Sequence, residues 1–358
     1  MVGIATVTIQ PVTLRNPQVL KMSSNRRVTV FGAYGHTGRF VVSQLRKRGW
    51  TSILSGRDAD KLNAAATEHP GSEVRVASVD SPQSLDRAIY GAVAIVNCAG
   101  PFLDTAVPIV EAAVRSGVHY FDVAAEQAAV LNVFERFSDV ARVAGVVIAP
   151  AMAFYGGLGD LLATTAMGEW DCADEICIAV ALNSWKPTRG TRLTGQRNSG
   201  RRFVFSSNKL ERVDPPPGRS WTFPAPFGRQ EVVPLSLAET ITISHHIRVP
   251  EIRVFMNLAP IAELRNPDTP APTPEDETGR SSQIFLMDVT VRRGSVERRI
   301  VARGRDIYAV SASIVVEAIQ RTVDNPGNTH GVVVAGEVFD ARDFLNSLSP
   351  DHLVVETL

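Results

Sequence analysis

Between Arg27 and Pro150, short unbroken β-branched runs alternate with segments in which apolar residues recur every three or four positions. "RVTVFG", "TSILSG", "SEVRVAS", "AVAIVNCAG", "VHYFDVA" and "VVIAPA" read as strands. "TGRFVVSQLRKRG", "DADKLNAAATEH" (capped by Asp58), Ser81 to Tyr90, "TAVPIVEAAVRSG" and "EQAAVLNVFERFSDVARVAG" read as the helices between them. Strands that are apolar on both faces, each followed by a helix, require a parallel sheet covered on both sides. The predicted class is therefore α/β, a doubly wound Rossmann-type domain.

After Ala151 the pattern changes. "GGLGDLLATTAMGEW" reads as a helix leading away from the sheet. "EICIAVAL", "RRFVFSS", "ETITISHHI", "EIRVFMNL", "QIFLMDVTVRRG" and "SVERRIVARGR" then read as strands without intervening helices. They predict a second, α+β domain with a mainly antiparallel sheet. Helical periodicity returns in "YAVSASIVVEAIQRTVDN" and, capped, in "DARDFLNSL". The expected organisation is an N-terminal extension over 1–22, loosely ordered or adding an edge strand at "ATVTI". Residues 23–152, with a C-terminal return over about 307–358, form the nucleotide-binding domain, and 153–306 a substrate and dimerisation domain.

Composition narrows the class of partner. Lys plus Arg and Asp plus Glu are 37 each, so no global field draws the chain of 358 residues to nucleic acid or anionic lipid. Cys98, Cys172 and Cys177 form no CxxC pair, which argues against a disulfide framework or zinc site and for a reducing cytoplasm. The first residues lack a secretory n- and h-region, and no run of eighteen apolar residues predicts a membrane-spanning helix.

The candidate chemistry begins in "VFGAYGHTGR". A strand ending at Gly32 must reverse sharply; a side chain at Gly35 would block a phosphate, and one at Gly38 would hold the helix off the sheet. The turn, with Tyr34, His36 and Thr37 inside it, is expected to seat a dinucleotide diphosphate against a helix N-terminus. The second strand ends "LSGRDADKL". Arg57 suits a 2′-phosphate, with Ser55 beside it and Lys61 as a secondary cation, so the expected cofactor is NADP(H). The competing reading leaves Arg57 solvated and gives Asp58 to an NAD ribose. Asp80 either accepts from the adenine amine or caps a helix. Asn97, Cys98, Ala99, Gly100 and Pro101, in "VNCAGPF", are expected beneath the nicotinamide ribose, with Cys98 a packing residue rather than a nucleophile.

"VFGAYGHTGR", "LSGRDADKL", "VNCAGPF", "GVHYFDVAAE" and "APAMAFYGGLGDLLA", in this order, resemble the saccharopine dehydrogenase-like NAD(P)-binding family over most of residues 27–165. The resemblance implies a two-domain reductase that frequently dimerises through its second domain. It covers both amino-acid dehydrogenases working through imines and trans-acting enoyl reductase-like proteins of lipid and natural-product pathways. "AAE" stands where "GE" is commoner and Phe102 where some members place a tyrosine, both pointing away from an amino-acid substrate.

No tyrosine has a lysine four positions on, so the short-chain dehydrogenase pair is absent. Tyr155, in "AFYGGLG", is the leading candidate acid, or else an aromatic packed at the domain seam. Glu126 either orients substrate or ribose or serves a helix start, and Asp122 is a third candidate or a buried polar anchor. His119 falls at the wrong end of its strand. "RGTRLTGQRNSGRR" is a solvated basic loop or a binder of substrate anions. His245 and His246, read within a strand, point to opposite faces and offer no metal site. The expected activity is an NADPH-dependent reduction of a C=N or C=C bond in a small or carrier-bound metabolite. A saccharopine-type amino-acid dehydrogenase and a non-catalytic NADP sensor are the alternatives.

Overall fold

The computed structural model describes residues 26–197, 202–212, 217–327 and 329–358; the extension over 1–22 lies outside them. The first layer of strands comprises β1 (Arg27–Phe31), β2 (Thr51–Gly56), β3 (Glu73–Val76), β4 (Ala94–Asn97), β5 (His119–Asp122) and β6 (Val147–Ala149). Between them run α1 (His36–Lys47), α2 (Ala59–Glu68), α3 (Pro82–Ile89), α4 (Phe102–Ser116) and α5 (Gln127–Ala144). Asp58 caps α2 and Ser81, rather than Asp80, caps α3. Gly117 and Gly145 close α4 and α5 in the left-handed conformation.

A kinked turn over Phe154–Leu158 leads into α6 (Gly159–Met167). Then follow β7 (Glu175–Leu182), α7 (Arg189–Arg197), the hairpin β8 (Val204–Ser206) and β9 (Lys209–Glu211), and the hairpin β10 (Arg219–Thr222) and β11 (Arg229–Pro234). Next come α8 (Glu239–His246), β12 (Ile252–Asn257), α9 (Leu258–Arg265), β13 (Ile284–Arg293) and β14 (Val296–Arg305). The chain ends through α10 (Ile307–Asp324), β15 (Gly331–Val332), α11 (Ala335–Val338), α12 (Ala341–Leu348) and β16 (Leu353–Thr357).

The first sheet is wholly parallel, in the order β15-β6-β5-β4-β1-β2-β3. Strand order reverses between β1 and β4, and such a switch point opens a crevice beyond the carboxyl ends of the strands. The second sheet runs β10-β11-β12-β7-β13-β14-β16, antiparallel except where β12 joins β7. Its inner face packs on α6, and a continuous apolar core joins the two sheets.

Three expectations are corrected. "ETITISHHI" is a helix, α8, not a strand: Glu239 through Ile243 are all buried, so the apparent alternation marks no solvent face. His246 therefore reaches Asp160 at 2.6 Å while His245 stacks on Phe134 at 4.3 Å. "RGTRLTGQR" is a helix, α7, rather than a loop. The C-terminal return does not stay with the first domain. α10 packs along α1 and β15 joins the first sheet, but β16 extends the second sheet beside β14.

Candidate functional site

The glycine turn is closed by the backbone itself. Gly32 N–H donates to Ser55 C=O at 2.8 Å, with Gly32 at φ +84°. A Cβ at Gly38 would sit 2.2 Å from the Gly32 carbonyl oxygen, so α1 meets β1 only through glycine. α1 starts at His36 with no side-chain cap and no acid in its first turn, leaving its electropositive end open. His36 packs edge-on against Phe40 and Tyr308 at 5.3 and 5.1 Å; its Nε2 is buried without a partner, and burial pushes its pKa down.

At the end of β2, the Tyr34 ring covers Gly56 and carries Lys61 Nζ 5.8 Å from its centroid. Lys61 is already paired with Asp58 at 2.7 Å, and that hydrogen bond holds the Asp58 carboxyl below its usual range. Arg57 is exposed and has no partner among the described residues. Ser55 is fully buried with its hydroxyl unpartnered, beneath the turn rather than on a surface where a 2′-phosphate would lie. Asp80, free of capping duty, is exposed and accepts from Ser78 Oγ at 3.2 Å.

Beyond β4, Asn97 is a brace. Its amide donates to Thr105 Oγ1 at 3.0 Å and its oxygen accepts from Ala99 N–H at 3.0 Å, fixing the loop that carries Cys98, Ala99, Gly100 and Pro101. Cys98 and Gly100 line a cavity of ≈ 170 Å³, and burial raises the Cys98 thiol far above its ordinary pKa. At β5, Asp122 is buried, accepting from Tyr120 Oη at 2.7 Å and from the N–H groups of Ala124 at 2.9 Å and Ala151 at 2.7 Å. It does not line the cavity. Glu126 accepts from Phe102 N–H at 3.0 Å and Leu103 N–H at 2.8 Å, so it caps α4 from the start of α5. Burial nonetheless raises its pKa.

Tyr155 stands in the cavity wall, its ring stacked 5.7 Å from Trp185. Its backbone kinks because Gly156 takes φ +97°, where a Cβ would fall 2.6 Å from Ala151 C=O. Tyr155 Oη is buried and unpartnered; burial first, and then the charge of Glu239, raise its pKa well above the usual value. Glu239, at the start of α8, is 1% exposed. One oxygen accepts from Leu237 N–H at 3.2 Å, while Oε2 has no partner. Burial pushes its pKa up to about 7 despite help from backbone N–H groups and the Arg202 charge.

α7 forms the outer wall through Gly190, Thr191, Thr194 and Gly195. Its arginines hold it down: Arg197 pairs with Asp104 at 2.7 Å, and Arg192 donates to the carbonyls of Asn266 at 3.1 Å and Thr269 at 2.5 Å. Tyr308 ties this wall to α10, its hydroxyl 2.9 Å from Thr191 Oγ1 and accepting from Trp185 Nε1 at 3.2 Å. Among the described residues no helix is long and apolar enough to cross a membrane, and no cluster of three or more His, Cys, Asp or Glu could hold a metal.

Residues 28–147 match the family model described as saccharopine dehydrogenase NADP binding domain. Over these residues the chain carries a domain of the saccharopine dehydrogenase NADP-binding type. A probable mitochondrial saccharopine dehydrogenase-like oxidoreductase of Arabidopsis thaliana is 30% identical over 142 residues, covering 36% of this chain and 31% of the plant protein. A saccharopine dehydrogenase-like oxidoreductase of Rattus norvegicus is 25% identical over 146 residues, 36% of this chain and 34% of its own. The matches thus span about a third of these relatives' length. In three dimensions the saccharopine dehydrogenase (L-Glu forming) of Saccharomyces cerevisiae superposes with a TM-score of 0.66 over 93% of this chain and 99% of its own, at 11% identity. That likeness extends the shared fold to the second sheet.

An NADP-binding domain fits what the turn offers: an uncapped helix end, a cradle that a Cβ at Gly38 would fill, and an unspent guanidinium at Arg57. Within this saccharopine dehydrogenase-like fold, Thr37, Cys98, Gly100 and Tyr155 are the sequence-predicted residues gathered on the cavity, whereas Asp122, Glu126 and Asn97 brace the backbone behind it. Glu239, Trp185 and Tyr308 escaped sequence reasoning, whereas Arg202 ends the basic segment read as a solvated loop or a binder of substrate anions. Tyr308 had a signal, the Asp306 cap two residues earlier, which accepts from its N–H at 3.0 Å. Glu239 had none, hidden in an alternation that imitates a strand.

Proposed function

We propose that the protein is an NADPH-dependent reductase that transfers hydride to a C=N or C=C bond of a small or carrier-bound metabolite, in a natural-product or lipid pathway. The observation that carries this reading is Tyr155: a buried, unpartnered phenol in the wall of the cavity that Cys98 and Gly100 floor at the end of β4. NADPH supplies the hydride when bound. Its diphosphate belongs at the open end of α1 and its 2′-phosphate at Arg57, with Asp80 near the adenine edge.

The chain's own residues supply position, dryness and a proton. Apolar walls exclude water from the acceptor carbon. The Tyr155 pKa lies well above neutrality, so the phenol keeps its proton until charge develops on the substrate nitrogen or α-carbon, and then donates it. The Arg202 charge favours the phenolate so formed. Glu239, whose pKa near 7 leaves it partly protonated at neutral pH, is the reservoir behind the phenol. The homodimer implied by the resemblance and a cytoplasmic setting belong to the same proposal.

Stopped-flow loss of NADPH absorbance with imines and enoyl thioesters tests the activity. Tyr155→Phe is expected to slow turnover about 10²- to 10⁴-fold at unchanged NADPH affinity. A full set of such acceptors leaving NADPH unconsumed, or a phenylalanine variant as fast as the parent, would overturn it.

A further inference from the structure

The helix α7 covers the cavity without belonging to the core. It buries no residue and is held by polar contacts to both layers: Arg197 with Asp104 on α4, Arg192 with the carbonyls that follow α9, and Thr191 with Tyr308 on α10. Contacts of this kind, open to water, each add little net stability, so α7 lifts at small cost while the core stays folded. Gly190 and Gly195 bring it to the cavity without side chains to fill the space beneath.

On its inner face Thr194 meets the loop after β4. A Cβ at Gly100 would fall 3.0 Å from Thr194 Oγ1, so the hydroxyl occupies the space that a side chain there would claim. Thr194 also acts on Glu126, which is 1% exposed and holds the first turn of α4 through Phe102 and Leu103 N–H. Its hydroxyl favours the charged form of that carboxyl, whose charge the Arg197 guanidinium feels as well. Helix and loop thus form one polar unit. In an open α/β sheet a dinucleotide lies beyond the carboxyl ends of the strands at the switch point, here between β1 and β4, so this loop faces its nicotinamide half.

We infer that α7 is a retaining strap over the nicotinamide half of the bound cofactor, with Thr194 the positioning residue that seats it on Gly100 and Glu126. The inference rests on the cofactor reading and goes beyond it. Coenzyme release requires α7 to lift, and the acceptor carbon is shielded from water only while the strap is down.

Stopped-flow displacement of NADPH from the full chain, read by fluorescence, tests this. Thr194→Val keeps the shape and loses the hydroxyl; it is expected to release NADPH about tenfold faster, while Thr194→Ser stays within about twofold of the parent. Asp104→Asn, which removes one exposed pair, should quicken release about two- to threefold. Amide hydrogens of Arg189–Arg197 should exchange more slowly with NADPH bound than without it. Melting temperatures of the cofactor-free variants should match the parent within about 2 °C, because α7 buries nothing. Release from Thr194→Val as slow as from the parent would overturn the inference, as would unchanged exchange across α7 on binding. Thr194→Ser as fast as the valine variant, or a melting temperature that falls along with retention, would make Thr194 part of the scaffold and no positioning residue. Any of these results with tight NADPH binding by the parent sinks the strap alone; failure of NADPH to bind the parent sinks the cofactor reading with it.

Discussion

Asp122 and Glu239 are both buried carboxyls beside the same cavity, yet their surroundings differ in kind. Asp122, at the end of β5, accepts three hydrogen bonds, two from backbone N–H groups and one from Tyr120. Glu239, at the start of α8, accepts from Leu237 N–H at 3.2 Å, with help from the Glu239 and Gly156 N–H groups, and leaves Oε2 bare. Burial lifts both pKa values against the pull of N–H donors, and that of Glu239 reaches about 7. A saturated acid is committed to holding backbone. An unsaturated one retains capacity for a proton and for neighbours that change charge. Hydrogen-bond satisfaction, more than position, separates scaffold from chemistry here, as it separates Asn97 from Tyr155.

Removing the saturated acid breaks that comparison most directly. Asp122→Ala strands the N–H groups of Ala124 and Ala151 and the Tyr120 hydroxyl in a dry interior, at about 1–3 kcal/mol each before relaxation. A loss of about 4 kcal/mol in urea unfolding is expected; a loss below about 1 kcal/mol would mean that the three bonds brace nothing. Glu239→Gln sharpens the comparison instead. The folded pKa of about 7 lies above the carboxyl's ordinary 4.5. The folded state therefore binds the extra proton, and this stabilisation is complete below about pH 4.5 and lost as pH rises through 7. The difference is about 3 kcal/mol. Glutamine has no proton to lose, so the variant should gain stability relative to the parent between pH 5 and pH 8. Unfolding curves that run parallel across that range would refute the assignment.

What the sequence disclosed follows the same physics. The first sheet was legible because strands covered on both faces leave continuous apolar runs, and because Gly32 and Gly38 answer to a backbone contact that tolerates no side chain. The cap at Asp58 was legible because it acts within three residues. The second wall of the site was not. The first five residues of α8 are all buried, so helical periodicity vanished and the alternation of threonine and isoleucine suggested a strand. α7 buries no residue at all; it is held by Arg192 and Arg197 reaching other segments, contacts that no local pattern encodes. Nothing in "RGTRLTGQRNSGRR" distinguishes Arg202 from its basic neighbours until the fold turns it toward Phe102 and Trp185.

On the nucleotide side the contrast recurs at smaller scale between Arg57 and Lys61. Both are cations near the end of β2, both exposed, but Lys61 is spent on Asp58 and lies over Tyr34, while Arg57 has no described partner. If satisfaction separates roles, Arg57→Ala should raise the Kd for NADPH about 10- to 30-fold, in keeping with a charged hydrogen bond, and leave NADH within about twofold. Lys61→Ala should change NADPH affinity less than about threefold, because an exposed, already paired ammonium contributes little more to a second anion. Equal losses from the two variants in fluorescence titrations would show that long-range charge, not an uncommitted guanidinium, recognises the 2′-phosphate. Salt then distinguishes the cases further. A diffuse field fades within a Debye length of about 10 Å at 0.1 M salt, whereas a bidentate contact at Arg57 keeps most of its selectivity for NADPH over NADH.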